Sequence, residues 1–428
     1  MTLHAIQKEW LQQQNHDDLP EWLTAFREKQ RAAFMQYGVP SRSNERWKYA
    51  DLGMIAQQHF DLSANAADVS REQIESYRLE DAEAVMLVLV DGKYSPSLSD
   101  CELLPQGMIA CSLREAIVEH EALVKRYFNE NIDAKDFPFA ALNSAIFADG
   151  IFIYVPEGRQ LTQPLQLLSL SSGRENAMIV PHHMIIMGAD SEAFMIHEYA
   201  GIDDGKYFMN AVTSIMTEAN SRLNLIKLQH ESDDALHMEN VFVRQRKDSH
   251  VAIVHVTTGA VFSRDDVIVQ LKEQGAECVA NGFYHASRDG QYIDHHIDFK
   301  HAAPRTASGM LYKGIAENKS RAVFNGSLHV EKDAQKINAY QENHNLLLSG
   351  LAEVYSKPEL EIYADDVKCR HGATTGQLDQ DAMFYMRARG IDEQTARSIL
   401  LRGFVEEVLQ RITHSAIRNH VMKQVKFL

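Results

Sequence analysis

The densest set of side chains that could bind a metal lies in the segment Asp365-Asp366-Val367-Lys368-Cys369-Arg370-His371-Gly372. Side chains two residues apart share one face of an extended strand, so Cys369 and His371 are predicted to project together. A thiolate and an imidazole suit zinc, copper or an iron–sulfur cluster, and nearby carboxylates suit ferrous iron. Such sites usually need about four ligands. The pair is therefore either half of a site that another chain completes or two structural residues at a strand end.

A second candidate metal site lies in the segment from Tyr292 to His301. Asp294, His296 and Asp298 are predicted to share one strand face, with His295 on the other face. Carboxylates and imidazole together can bind iron. The chain has 20 histidines, however, and histidines in strands often pair with aspartates through simple hydrogen bonds. A metal site and a structural role both remain open for these three residues.

Several common catalytic motifs are missing from the sequence. It has no GxxxxGK[ST] loop to bind nucleotide phosphates, and no HExxH, GxSxG or GxGxxG motif. Its four cysteines are far apart and lack CxxC spacing, which disfavours a zinc ribbon, a thioredoxin-type pair and a disulfide framework. We expect reduced thiols, and we expect Cys278 to be a small buried hydrophobic residue.

The composition is that of a folded globular protein. With 428 residues, 45% hydrophobic and 24% charged, the chain is expected to form two or three domains. Its net charge of -16 disfavours binding to nucleic acid or to anionic lipid. The longest apolar run, Ala84–Val90, is far shorter than the ~20 residues of a membrane-spanning helix. The amino-terminal segment does not resemble a secretory signal, so the expected location is the cytoplasm.

Three regions differ in their hydrophobic pattern. Residues 1–145 are predicted to form a helical or mixed α/β domain, with a helix that follows Pro20 and ends before Gly38 and a buried strand AVMLVLV that ends at Asp91-Gly92. The first helical apolar positions are Leu3, Ile6, Trp10 and Leu11. Residues 146–370 are predicted to consist of short strands, and residues 371–428 to form a helical domain.

The strand-rich region contains a repeat in which a polar turn precedes each strand. Its markers are Ser191, Ser221, Ser249 and Gly275, and four residues beyond them lies an apolar column of Met195, Leu225, Ile253 and Val279. A nearly constant advance with one apolar column is typical of the stacked coils of a parallel β-solenoid. A β-sandwich with evenly spaced hairpins is the alternative.

The carboxyl-terminal region has a charge opposite to that of the whole chain. Asp379 and Asp392 are predicted to begin two helices. From Gln377 onward there are six acidic and eight basic residues, a net of +2. This region is either a docking face for an acidic partner or a solvated helix surface.

Two long segments resemble the core of the SufB/SufD family of iron–sulfur cluster assembly proteins. They are HAAPRTASGMLYKGIAENKSRAVFNGSLHVEKDAQKINAYQENHNLLLS, which begins at His301, and AEVYSKPELEIYADDVKCRHGATTGQLDQDAMFYMRARGI. RWKYADL (from Arg46) and VDGKYSPSLS (from Val90) extend the resemblance over nearly the whole chain. Within the family the sequence is similar to the SufD branch, because it lacks the Glu-His-Glu run expected of SufB.

The resemblance implies a mainly β fold, a right-handed parallel β-helix between an amino-terminal α/β domain and carboxyl-terminal helices. It further implies pairing with SufB through the β-helix, docking of the ATPase SufC on the carboxyl-terminal helices, and a transient iron–sulfur cluster shared between SufB and Cys369 and His371. It also associates the family with iron acquisition and reduced flavin. Arg370 departs from the motif, in which a small residue such as Ser is common. A cation beside the thiol is expected either to lower the pKa of Cys369 and favour the thiolate or to crowd a ligand. An open β-helix end leaves strand edges unpaired, so the isolated chain is expected to form a homodimer.

Three hypotheses for function follow from these observations. The leading one is a non-catalytic scaffold subunit of a SufBCD-type complex. The second is a β-helix enzyme acting on carbohydrates, with Asp365, Asp366, Asp294 and Asp298 as the candidate acids. The third is a purely structural adaptor for an ABC-type ATPase.

Overall fold

The computed structural model describes residues 9–11, 19–62, 68–80, 82–128 and 131–425. The protein is mainly β, with a β-solenoid of about 8 turns and a helical content of 23%. The predicted solenoid is therefore confirmed, and the β-sandwich alternative is wrong. The predicted helical positions Leu3 and Ile6 lie outside the described residues.

Helices occur before and after the solenoid. Their bounds are α1 Glu21–Tyr37, α2 Gly53–Ala56, α3 Arg71–Glu75, α4 Leu113–Glu119, α5 Glu121–Tyr127, α6 Pro138–Ile146, α7 Gln380–Ala388, α8 Glu393–Leu409 and α9 Ser415–Gln424. The helix predicted after Pro20 is α1, and the chain leaves it through Gly38, whose φ of 67° is readily adopted by glycine. Asp379 accepts hydrogen bonds from the backbone amides of Asp381 and Ala382 in the first turn of α7, and Asp392 accepts one from Thr395 in the first turn of α8, so both begin helices as predicted.

Strands make up most of the remaining structure. Their bounds are β1 Asp61–Leu62, β2 Val85–Val90, β3 Lys93–Tyr94, β4 Ile109–Ser112, β5 Ile151–Val155, β6 Leu165–Ser171, β7 Ala177–Ile179, β8 His182–Met187, β9 Glu192–Gly201, β10 Phe208–Thr217, β11 Arg222–Gln229, β12 Leu236–Gln245, β13 His250–Thr257, β14 Phe262–Leu271, β15 Glu277–Ala286, β16 Tyr292–His301, β17 Ala307–Ala316, β18 Arg321–Val330, β19 Ile337–Leu347, β20 Glu353–Ile362 and β21 Val367–Gly376. The predicted strand AVMLVLV is β2.

The chain alternates between two sheets as it climbs the solenoid. The first sheet has the order β20-β18-β16-β14-β12-β10-β8-β5-β4, and the second has the order β21-β19-β17-β15-β13-β11-β9-β6-β2-β3. From β5 and β6 onward, the neighbours in each order are parallel. Each coil therefore contributes one strand to each sheet, and the coils bury their inward faces against one another.

The register of the second sheet corrects the fourth position of the predicted repeat. Met195, Leu225 and Ile253 are aligned as predicted, but the next residue of this column is Ala280 rather than Val279. Gly275 has a φ of 77° and occupies the left-handed position that Asp248 occupies one coil earlier. The predicted marker Gly275 therefore lies one residue before Ala276, the structural equivalent of Ser249. A consequence is that Cys278, as predicted a buried residue, belongs to an inward apolar column.

The interior of the solenoid has one apolar and one polar side. The second-sheet strands begin with inward apolar residues, such as Leu223 and Leu225 of β11, and then place Lys227 inward. The following first-sheet strand, β12, begins with inward His237 and Glu239 and continues with apolar residues. Polar residues therefore meet at the corner where second-sheet strands end and first-sheet strands begin. The apolar residues meet at the opposite corner.

Helical segments cover the outer faces of both sheets. The amino-terminal helices pack Phe34, Trp47 and Phe139 against outward residues of the first sheet. The carboxyl-terminal helices pack Val405, Ile417 and other apolar residues against outward residues of the second sheet. β21 runs across the predicted domain boundary at residue 370. In the part of the chain that the structure describes, no helix is long and apolar enough to cross a membrane.

Candidate functional site

Cys369 and His371 lie on β21, the last strand of the second sheet. β21 pairs with β19 along one edge, so that Cys369 is opposite Ala339 and His371 is opposite Gln341. Ala339 and Gln341 are buried in inward-facing columns. The structure therefore places Cys369 and His371 on the inward face of the last coil, where no further described strand stacks on β21.

The two side chains differ in their surroundings. Cys369 is half-buried and packs against the apolar core of the solenoid, and burial raises the pKa of its thiol. His371 is exposed. The pair therefore combines a thiol anchored in the core with an imidazole open to solvent or to a partner. Its two donor atoms are fewer than a zinc or iron–sulfur site requires.

Arg370 does not act on Cys369 as predicted. Neighbouring residues of a strand face opposite sides, and Arg370 lies with its guanidinium 5.6 Å from the ring centroid of Tyr340 and its Nη2 3.8 Å from Glu342 Oε1. The expectation that Arg370 lowers the pKa of Cys369 is wrong, because burial raises that pKa. The thiolate needs another source of positive charge.

The second candidate site is occupied by arginines. Arg264 donates to Asp294 at 2.9 Å and to Asp266 at 2.8 Å, and Arg46 donates to Asp298 at 2.8 Å. Arg264 is fully buried, and its guanidinium lies 3.7 Å from the ring centroid of Trp47. This network joins the amino-terminal region to the first sheet.

His296 completes this network on the outer face of the sheet. Its Nε2 lies 2.9 Å from Asp294 Oδ1. Burial alone would raise the pKa of Asp294, but His296 and Arg264 outweigh burial and lower it. These contacts favour the structural interpretation of Asp294, His296 and Asp298. His295 faces the interior instead, as the alternation predicts.

The polar side of the solenoid interior contains a group that sequence reasoning missed. His237, Glu239 and Asp265 are buried, and one potential ligand atom of each lies within 4.8 Å of the others. Lys227 Nζ lies 2.6 Å from Glu239 Oε2 and 2.7 Å from Asp265 Oδ1. The sequence signal for this group is that polar residues occupy inward positions on consecutive first-sheet strands. This signal can be recognised only when the register of the strands is known.

Two family models match the chain in succession. The model described as the SufBD protein N-terminal region matches residues 3–167. The model described as the SufBD core domain of the SUF system for FeS cluster assembly matches residues 169–404. The core match covers the solenoid from β6 to β21 and continues into the carboxyl-terminal helices.

Three curated proteins are similar to the chain over most of their length. The iron–sulfur cluster assembly protein SufD of Escherichia coli is 30% identical over 91% of this chain and 89% of its own. Protein ABCI7, chloroplastic, of Arabidopsis thaliana is 32% identical over 91% and 82%. An iron–sulfur cluster assembly SufBD family protein of Synechocystis is 29% identical over 90% and 87%.

Proposed function

The chain belongs to the SufBD family of the SUF iron–sulfur cluster assembly system, and we propose that it is a SufD-like, non-catalytic scaffold subunit that shares a nascent cluster with SufB. The cluster is the cargo of the complex, and ATP hydrolysis is supplied by SufC. The proposed location is the cytoplasm. The observation that carries the proposal is the pair Cys369 and His371 on the inward face of the terminal coil.

The open end of the solenoid supports pairing with SufB. β20 and β21 each have one neighbour among the described strands, so each leaves a row of backbone groups unpaired along the other edge. Leu351 and Tyr363 lie near this end and are 69% and 61% exposed. A second solenoid stacked here would pair the edges, cover the apolar side chains and bring further ligands to Cys369 and His371. Without SufB, a second copy of this chain is the proposed substitute.

The carboxyl-terminal helices are the proposed docking surface for SufC. None of the residues of α7 is buried, and Phe384 and Tyr385 are 75% and 58% exposed. Large exposed aromatic side chains are typical of protein interfaces. The net charge of +2 from Gln377 onward favours an acidic partner surface.

A groove of about 820 Å³ is lined by Asp203, Asp204 and Asp233 together with Arg288 and other side chains, most of them polar. A flavin needs an apolar slot for its ring system and cationic groups for its phosphate. The three aspartates in this groove disfavour a flavin phosphate, and we assign no flavin-dependent step to this chain.

Complementation of a strain that lacks its own SufD tests the proposed half-site. Cys369→Ala and His371→Ala are expected to abolish or strongly reduce cluster production, while the SUF complex still assembles. Cys101→Ala and His329→Ala are matched controls, because they remove a half-buried cysteine and a partly exposed histidine elsewhere. Full cluster production by both site variants would remove these residues from the mechanism.

Reconstitution with SufB and SufC tests the partner assignments. The wild-type complex is expected to hold iron and sulfide, and Phe384→Ala is expected to weaken SufC binding without weakening SufB binding. Val118→Ala is the control, since Val118 is a 67% exposed apolar residue outside the carboxyl-terminal helices. A complex that binds SufC but never holds iron would indicate a purely structural adaptor. Polysaccharide cleavage by the isolated chain would indicate a carbohydrate-active enzyme.

A further inference from the structure

The polar corner of the solenoid interior has the chemistry of a metal site. His237 and Glu239 are two residues apart on β12, and Asp265 is aligned with Glu239 on the next strand, β14. The ligand atoms of these three residues lie within 4.8 Å of one another. All three side chains are almost completely excluded from solvent. One imidazole and two carboxylates suit a first-row divalent ion such as Zn²⁺, Co²⁺ or Fe²⁺.

Neighbouring side chains orient these groups as outer-shell residues do in metal sites. Glu231 Oε2 lies 2.6 Å from His237 Nδ1, and Thr213 Oγ1 donates to Glu239 Oε1 at 2.6 Å. Neither ring nitrogen of His237 has a partner in hydrogen-bond geometry, so Nε2 is available to an ion, and Nδ1 lies against the Glu231 carboxylate. A carboxylate beside the nitrogen that does not bind the metal is the usual arrangement of a metal-binding histidine.

The corner holds more carboxylates than cationic side chains. Glu231, Glu239 and Asp265 bring three carboxylates together, and among the described residues Lys227 is the one lysine or arginine in contact with them. A divalent cation would add positive charge where the carboxylates are in excess.

Glu231 lies between the corner and the surface groove of about 820 Å³, which it helps to line. Its carboxylate touches His237, and its Oε1 has no hydrogen-bond partner in the interior. Because the Glu231 side chain is excluded from solvent, an ion would enter the corner during folding.

We propose that the interior of the solenoid binds one divalent first-row metal ion through His237, Glu239 and Asp265. Lys227 competes with this ion, because its ammonium group contacts one oxygen of each of the two carboxylate ligands. The site is separate from Cys369 and His371. It does not depend on the function proposed above.

Cobalt is the probe for this site, because Co²⁺ bound to nitrogen and oxygen ligands has visible d–d absorption. The full chain carries Cys369→Ala and His371→Ala, which removes the terminal pair. It is expressed in cobalt-supplemented medium so that the ion can enter during folding. After gel filtration we expect about one cobalt per chain, and equilibrium dialysis then gives its affinity.

Substitutions move the affinity in opposite directions if the proposal holds. We expect the affinity for Co²⁺ to fall by at least about 10-fold in Glu239→Gln and in Asp265→Asn, which each alter a ligand. We expect it to fall by about 10-fold in Thr213→Val, which leaves all three ligands in place. Lys227→Met is expected to raise it, since the competing ammonium is gone. Asp203→Asn in the groove is the matched control and should leave the affinity unchanged.

The following results would overturn the proposal. One is a chain that carries no stoichiometric cobalt after expression in its presence. Another is binding that Thr213→Val and Lys227→Met leave unchanged, and this result decides the matter even if the carboxylate variants do not fold. A third is a loss in Asp203→Asn as large as that in Asp265→Asn, which would place the ion in the groove.

Discussion

Replacing Glu198 with Gln should loosen the carboxyl-terminal helix α9 from the solenoid. Glu198 lies on β9, and its side chain is fully buried. Its Oε1 accepts a hydrogen bond from His230 Nε2 at 2.7 Å, and its Oε2 accepts one from His420 Nε2 of α9 at 2.9 Å. Gln keeps the size of the side chain but removes its charge. It also places an amide group where one histidine donates.

The pKa of Glu198 gives the size of the expected effect. Burial alone would raise this pKa, but the hydrogen bonds and charges of His230 and His420 outweigh burial and lower it from 4.5 to about 2. At about 1.4 kcal/mol per pH unit, this difference corresponds to about 3 kcal/mol of stability. Because the folded-state pKa is the lower one, the contribution is fully present above pH 4.5. It is lost as the pH falls from about 4.5 to about 2.

Hydrogen exchange of the α9 amides measures this contribution locally. At neutral pH, Glu198→Gln should lower the opening free energy of Ser415–Gln424 by about 3 kcal/mol. The difference from the wild type should shrink as the pH falls below 4.5. Glu80→Gln is the control, because it breaks an exposed ion pair with Lys423 on the same helix and should change little. Equal α9 protection in both variants, or a difference independent of pH, would refute the reasoning.

Two further predictions concern the solenoid itself. A Cβ on Gly282 would lie 2.1 Å from Tyr312 Cε1, so Gly282→Ala should lower the free energy of unfolding in urea by about 1–3 kcal/mol. Gly350→Ala is the control, because Gly350 has open space around it and its substitution should not lower this free energy. Equal urea midpoints for the two variants would contradict the prediction. Arg264→Leu leaves two buried aspartates without their main partner and should cost about 3–5 kcal/mol. The exposed Arg42→Leu should cost at most about 1 kcal/mol, and similar thermal shifts for both variants would argue against a buried network.

The sequence predicts the solenoid because its strongest signal is local. Ser191, Ser221 and Ser249 each donate a side-chain hydrogen bond back into the turn that precedes a strand, to the carbonyls of residues 188, 218 and 246. The residue before each serine has a positive φ. At the fourth turn a glycine adopts this backbone conformation, and Ala276 replaces the serine. The fourth turn therefore keeps the backbone geometry of the others but lacks the serine that marks them. This explains why the sequence pattern places the fourth marker at Gly275, one residue before Ala276.

The polar corner could not be predicted from local pattern. Alternation places Lys227 on the same face of β11 as Leu223 and Leu225. The other face carries Ile226 and Leu228 and is equally apolar, so β11 alone does not show which face is the interior. The partners of Lys227, Glu239 and Asp265, lie on the other sheet, 12 and 38 positions further along the chain. Only the register of both sheets brings these residues together. Asp294 and Asp298 show the converse, because local alternation places them on one face but does not reveal the arginines that pair with them.

Cys369 and Cys278 occupy the same inward column of the solenoid. Cys278 has a further coil on each side, whereas no described coil follows Cys369. Cys369 continues an inward column whose earlier members are Ala193, Leu223, Val251, Cys278, Ser308 and Ala339. Burial raises the pKa of both thiols. Cys278 is completely buried, whereas Cys369 is half-exposed. A partner that merely covered the last coil would bury Cys369 further and disfavour the thiolate still more. A partner at this end would therefore have to bring positive charge to Cys369, from iron or from its own side chains, for the thiolate to bind a metal.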